Sequence, residues 1–206
     1  MRNHVRPYAY TLIEVMVSVA IMAIMLAVAV GTYSLGKQYD SLKLETTRLA
    51  SGFRMARTLD FNGVVSWNGV RNAYPSGGYG VHINNNDAAS NKKGGTTTYT
   101  VFADFSNIGG AFYDGASESI QRFDLPSGFA IESPSGPSIN DFEIIFKNNT
   151  VTVYESTDWT TPVSASRYTM IVRYTPSCSA VKNQKGFVDL YAQGNRIDEY
   201  LNGPCP

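Results

Sequence analysis

One uninterrupted apolar block, Leu12–Val30, limits what this chain can become, because a compact water-soluble domain has no place for it. The run LIEVMVSVAIMAIMLAVAV is about the length needed to cross the hydrocarbon core of a bilayer as a helix. Arg2, His4 and Arg6 precede it, so the positive-inside bias keeps the short N-terminus cytoplasmic and sends the remainder outward. A plain signal anchor and a cleaved secretory signal both fit so far, and Ala27-Val28-Ala29 offers a small-x-small cleavage site for the second.

Glu14 argues against both. A carboxylate three residues into the run costs about 2–3 kcal/mol at mid-membrane and less near an interface. An ordinary signal has no use for that cost, whereas a subunit that packs its helix beside others does. If the chain is cut after Ala9, the α-amino group of Tyr10 lies one helical turn before Glu14. Opposite charges on neighbouring subunits would then seek each other in an apolar core, setting axial register. A pair within one chain is the competing geometry, since i and i+4 are adjacent on a helix.

The segment Ala9-Tyr10-Thr11-Leu12-Ile13-Glu14-Val15 resembles the prepilin peptidase site of type IV pilins and type II secretion pseudopilins. That family has a short basic leader, a small residue at the cut, an aromatic residue that becomes N-methylated, and T-L-I-E opening an apolar helix. Here Ala9 replaces the usual Gly and Tyr10 the usual Phe. The resemblance implies a leader over 1–9, processing between Ala9 and Tyr10, N-methylation of Tyr10 and assembly through Glu14. Its implied partners are other pilins or pseudopilins in a helical filament, prepilin peptidase and an inner-membrane assembly platform. The implied location is single-pass in the inner membrane with the head outside, then in a pilus or pseudopilus.

The helix is expected to continue past the membrane. No Pro occurs between Pro7 and Pro75, and Leu35, Tyr39, Leu42, Leu49, Phe53 and Ala56 recur at spacings of three, four or seven. Lys37, Lys43, Glu45, Arg48, Arg54 and Arg57 lie between them. A helix over 10–60 would be roughly 75 Å long, with its transmembrane part at about 12–34. Gly31 and Gly36 are the places where it is expected to bend or melt.

After Asn62-Gly63 the pattern changes to short β-like runs: 79–83, 97–103, 119–125, 129–132, 142–147, 150–154, 167–174, 186–192 and 196–200. Asn148-Asn149 between two of them is the strongest hairpin signal. The reading is α+β: a long N-terminal helix whose second half packs on an antiparallel β-sheet head spanning 61–206, which is also what the resemblance implies. Within the family the head is most similar to GspH/FimT-type minor subunits, through YTVFAD at 99–104, the Leu-Pro-x-Gly turn within 119–132, and GFVDLYAQGNRI at 186–197.

Formal net charge is zero, with 17 basic and 17 acidic residues, and losing Arg2 and Arg6 with a leader lowers the basic count to 15. No general polyanion binder is indicated. Some FimT-like subunits take up DNA. Lys182, Lys185 and Arg196 are the candidate contacts here, yet Asp198 and Glu199 follow Arg196 at once and would oppose a phosphate. A filament-tip protein binding DNA or a secreted substrate is therefore the alternative function. Cys178 and Cys205 favour a disulfide outside the cytoplasm, closing a loop of 26 intervening residues worth roughly 3–4 kcal/mol.

No enzyme is expected. No nucleophile elbow surrounds any Ser, there is no P-loop or H-E-x-x-H, and His82 in an alternating run reads as a surface or packing residue. No cofactor or metal is expected. Asp104–Glu118 mixes carboxylates, Asn and Gly in a way that suits Ca²⁺, but it lacks EF-hand spacing and reads better as a solvated loop.

Overall fold

A computed structural model describes residues 11–67, 71–84, 97–105, 113, 118–133, 141–155, 158–174, 185–193 and 196–201. The fold is α+β. Helix α1 spans Leu12–Phe61 and is followed by twelve strands among the described residues. The chain divides into two compact units, one up to Asp40 and one from Ser41 onward.

In the first unit α1 is helical through both Gly31 and Gly36, so the expected melting there does not occur. Each glycine costs a helix only about 1 kcal/mol, and Leu26, Ala27, Ala29, Leu35, Lys37 and Gln38 around them are good helix formers. Within Leu12–Gly31 no residue is buried.

The second unit contains the other half of α1 and the strands β1 (Ser66–Trp67), β2 (Asn72–Ala73), β3 (Gly78–Asn84), β4 (Thr98–Asp104), β5 (Ser119–Asp124), β6 (Phe129–Glu132), β7 (Asp141–Lys147), β8 (Thr150–Glu155), β9 (Asp158–Val163), β10 (Arg167–Tyr174), β11 (Lys185–Tyr191) and β12 (Ile197–Leu201). All pairings are antiparallel: a β1-β2 ribbon, a six-stranded sheet β5-β4-β3-β7-β8-β9, and a four-stranded sheet β12-β11-β10-β6. The expected helix-on-sheet packing is present, with the strands shared between two sheets.

Leu42, Leu49, Phe53 and Ala56 are the buried part of the expected stripe, and Ala50 joins them. They form one cluster with Tyr79, Val81 and Ile83 of β3, Phe142 and Ile144 of β7, Met170 and Val172 of β10, and Val188 and Leu190 of β11. Both sheets therefore close on the same helix face. Glu45 departs from its expected place among the exposed charges. It is 4% exposed and pairs with Arg48 at 3.1 Å, one turn on. Arg54 pairs with Glu199 of β12 at 3.1 Å and ties the helix to the edge of the four-stranded sheet.

The β7–β8 hairpin turns on Asn148 and Asn149, at φ 50° and 64°. Two consecutive positive values are what a type I′ connection requires, and Asn tolerates them best after Gly. The register aligns Val81 with Ile144 and Val101, so alternate residues of β3, β4 and β7 face the helix.

Gly186 sets how closely α1 approaches β11. A Cβ there would overlap the Thr46 side chain. Gly186→Val should overpack this contact, cost about 1–3 kcal/mol, and lower the melting temperature, measurable by circular dichroism. An unchanged transition would show that α1 does not lie against β11 at Thr46.

Candidate functional site

The first turn of α1 is built by Thr11. Its carbonyl accepts the N–H groups of Glu14 (3.1 Å) and Val15 (3.3 Å), and its hydroxyl accepts the Glu14 N–H at 3.3 Å. Thr11 is thus the N-cap and Glu14 the third residue of the helix, a T-x-x-E capping-box arrangement. The pattern was present in the sequence, and it gives Glu14 a second role. Its carboxylate sits where the helix dipole favours a negative charge. That effect is worth about 0.3–1 kcal/mol at an exposed site. It falls short of the roughly 2.5–3.5 kcal/mol that a carboxylate costs at a bilayer centre. Capping alone therefore leaves a deeply inserted Glu14 in need of a partner.

Beyond it, Leu12–Gly31 is long and apolar enough to cross a membrane, at about 30 Å for 20 residues. Leu12, Ile13, Met22, Met25 and Leu26 are each at least two-thirds exposed. No soluble helix keeps such a surface in water, so lipid or neighbouring helices must cover it. Ser18 is the polar interruption within the first two turns after Glu14, and its hydroxyl is spent on the Glu14 carbonyl at 2.8 Å.

Residues 8–30 match a family profile for the prokaryotic N-terminal methylation motif. The chain carries that methylation motif. It covers Ala9, Tyr10, the Thr11 cap, Glu14 and the apolar span in one continuous stretch. No curated protein and no solved structure matches the chain. Ala9 and Tyr10 themselves lie outside the described residues.

Elsewhere the expected site residues that are described are not gathered. Lys185 begins β11 and approaches Glu132 at 3.9 Å, a carboxylate that Arg173 also holds at 3.0 Å. Arg196 pairs with Asp198 at 2.7 Å and lies over the Tyr191 ring. Arg196 lies beside Tyr191, at the other end of β11 from Lys185, roughly 20 Å away along the strand. Both cations are committed to carboxylates, which leaves little free field for a phosphate. Lys182, Cys178 and Cys205 fall outside the described residues.

Asp104 and Glu118, the ends of the segment weighed for Ca²⁺, are both buried. The Glu118 carboxylate accepts the Phe105 N–H at 3.3 Å and its carbonyl accepts the Ala103 N–H at 3.0 Å, so it closes the segment as a structural residue. Residues 106–112 and 114–117 are outside the described set. Among the described residues no group of three His, Cys, Asp or Glu is placed to hold a metal. His82 is a packing residue rather than a surface one, since its Nδ1 lies 3.0 Å from Glu143 on the neighbouring strand.

Replacing Glu14 with Leu should strengthen bilayer insertion of Leu12–Gly31, by about 2–3 kcal/mol if residue 14 sits deep and by less at the interface. The inserted fraction in a translocon-based assay reads this directly, and no gain would place Glu14 in water.

Proposed function

We propose that the chain is a type IV pilin-like subunit, stored in the inner membrane through Leu12–Gly31 and assembled into an extracytoplasmic filament through the same helix. The observation that carries this reading is the capped, membrane-length apolar helix within a prokaryotic N-terminal methylation motif. In this reading prepilin peptidase removes 1–9, Tyr10 becomes the N-methylated first residue, and residues 61–206 with the second half of α1 form the head outside the membrane. Glu14 then meets the Tyr10 amine of a neighbouring subunit, because an isolated charge in an apolar filament core is too costly to leave unpaired.

The finer role is a minor pilin or pseudopilin of the GspH/FimT kind, which the α+β head with its two antiparallel sheets supports in outline. A structural role without catalysis is part of this reading. Cys178 and Cys205 form a disulfide in it, suited to a head outside the cytoplasm. Tip binding of DNA is the weaker alternative, because Lys185 and Arg196 are already paired.

N-terminal sequencing of the native protein should begin at a methylated Tyr10. An intact Met1, or a chain starting at Ala29 or later, would remove the reading. Glu14→Ala should leave folding and insertion intact while cutting recovery in sheared filaments at least several-fold, and normal incorporation would eliminate the charge-pair account. Reduction should lower the melting temperature of the head; no shift would mean that the two Cys are not paired.

A further inference from the structure

Just beyond the membrane-length span Leu12–Gly31, α1 carries Tyr33 and, one turn later, Lys37. The Lys37 ammonium sits over the Tyr33 ring, 4.6 Å from its centroid. Tyr33 is 65% exposed and Lys37 is exposed too, so both stand on the helix surface. Each is amphipathic in the same sense, an apolar ring or stem ending in a polar tip. Such groups settle where hydrocarbon gives way to headgroups. The positive-inside bias supplies no reason for Lys37, because the reading proposed above puts this end of the span outside the cytoplasm.

Residues 15–36 contain no Asp, Glu, Lys or Arg, and α1 is unbroken across them. Glu14 and Lys37 are therefore about 35 Å apart along the axis, at 1.5 Å per residue. Both side chains lean toward the helix N-terminus, so their charged heads keep about that separation. A hydrocarbon core is about 30 Å thick. Both charges fit outside it at once, with slack of about 5 Å, close to one helical turn. A larger outward slide draws Glu14 into the core, and a larger inward slide draws in Lys37, each at high cost. The two charges act as stops, and the Tyr33 ring favours one depth between them.

We propose that Tyr33 and Lys37 form a lipid anchor that sets the depth of α1 in the bilayer. The Lys37 ammonium meets headgroup phosphates of the leaflet facing away from the cytoplasm, and the Tyr33 ring lies at the acyl boundary. This rests on the membrane-stored subunit proposed above and specifies how it is stored. Glu14 is held at the opposite headgroup layer, wet and without need of a partner. Its demand for an amine arises only when α1 leaves lipid for an apolar assembly.

Tyr33→Trp keeps an aromatic face for the ammonium and makes a depth probe in the full chain. Its fluorescence is read in phosphatidylethanolamine–phosphatidylglycerol vesicles carrying nitroxides at the headgroup, high on the acyl chain or near its end. Emission of Trp67 and Trp159 in the unsubstituted chain is subtracted. The shallow labels should quench the probe most. Adding Lys37→Leu removes the outer stop and lengthens the charge-free run by three residues, up to Asp40. The probe should then sink by up to about 4.5 Å, while Lys37→Arg should hold the original depth. An unchanged depth in Lys37→Leu, or strongest quenching by the deep label with Lys37 intact, would overturn the anchor. No quenching by any lipid label would mean that α1 is not in the bilayer, which removes the membrane-stored reading as well.

Discussion

The stripe that Leu42, Leu49, Phe53 and Ala56 make along α1 is the surface on which two sheets close together. A six-stranded and a four-stranded sheet need a shared apolar partner, because each has one face too apolar for water. The helix supplies it, and the close approach at Gly186 and Gly52 follows from the same contact. At Gly52 an added Cβ would sit 3.1 Å from the Tyr99 ring. Everything on the outer faces, including the Glu132 and Glu143 clusters, is positioned by strands registered against that helix.

Burial in this head is acidic to an extent that composition hides. Eight carboxylates are buried among the described residues: Glu45, Asp60, Asp104, Glu118, Glu132, Glu143, Glu155 and Asp189. Most hold specific donors. Asp60 accepts the Tyr74 hydroxyl at 2.6 Å, Glu155 accepts Ser133 at 2.9 Å, and Asp189 accepts Thr169 at 2.6 Å. The Tyr74 hydroxyl is pushed up to about 12, first by burial and then by its bond to Asp60. Buried acids with such donors act as fasteners between elements rather than as a solubilising coat.

Periodicity made the helix and most strands legible. The run 167–174 coincides with β10, where Tyr, Thr, Ile and Val favour a strand, and 129–132 coincides with β6, where Phe and Ile follow the Pro126-Ser127-Gly128 turn. β9 was not legible. Asp158-Trp159-Thr160-Thr161-Pro162-Val163 contains a proline that demotes a strand, and the structure places it at the sheet edge, where such a strand is tolerated. The ribbon of β1 and β2 has two residues per strand, too short for any pattern. Glu143 was unreadable for another reason: a charge in an alternating run looks like a surface residue until its partner His82 on a distant strand is known. At the N-terminus the balance reverses, since the Glu within an apolar run was plain in sequence and only its cap needed coordinates.

That cap has an economical outcome for maturation. The amides of Glu14 and Val15 bond to Thr11, which lies downstream of the proposed cut between Ala9 and Tyr10. Proteolysis there would spare those first-turn bonds. On the proposed reading the precursor and the trimmed chain would share this helical start, while trimming would remove Arg2 and Arg6 with the leader and expose the Tyr10 amine. Maturation on that reading would then change the charge at this end rather than its helical start, and no refolding would be needed there between storage and polymerisation.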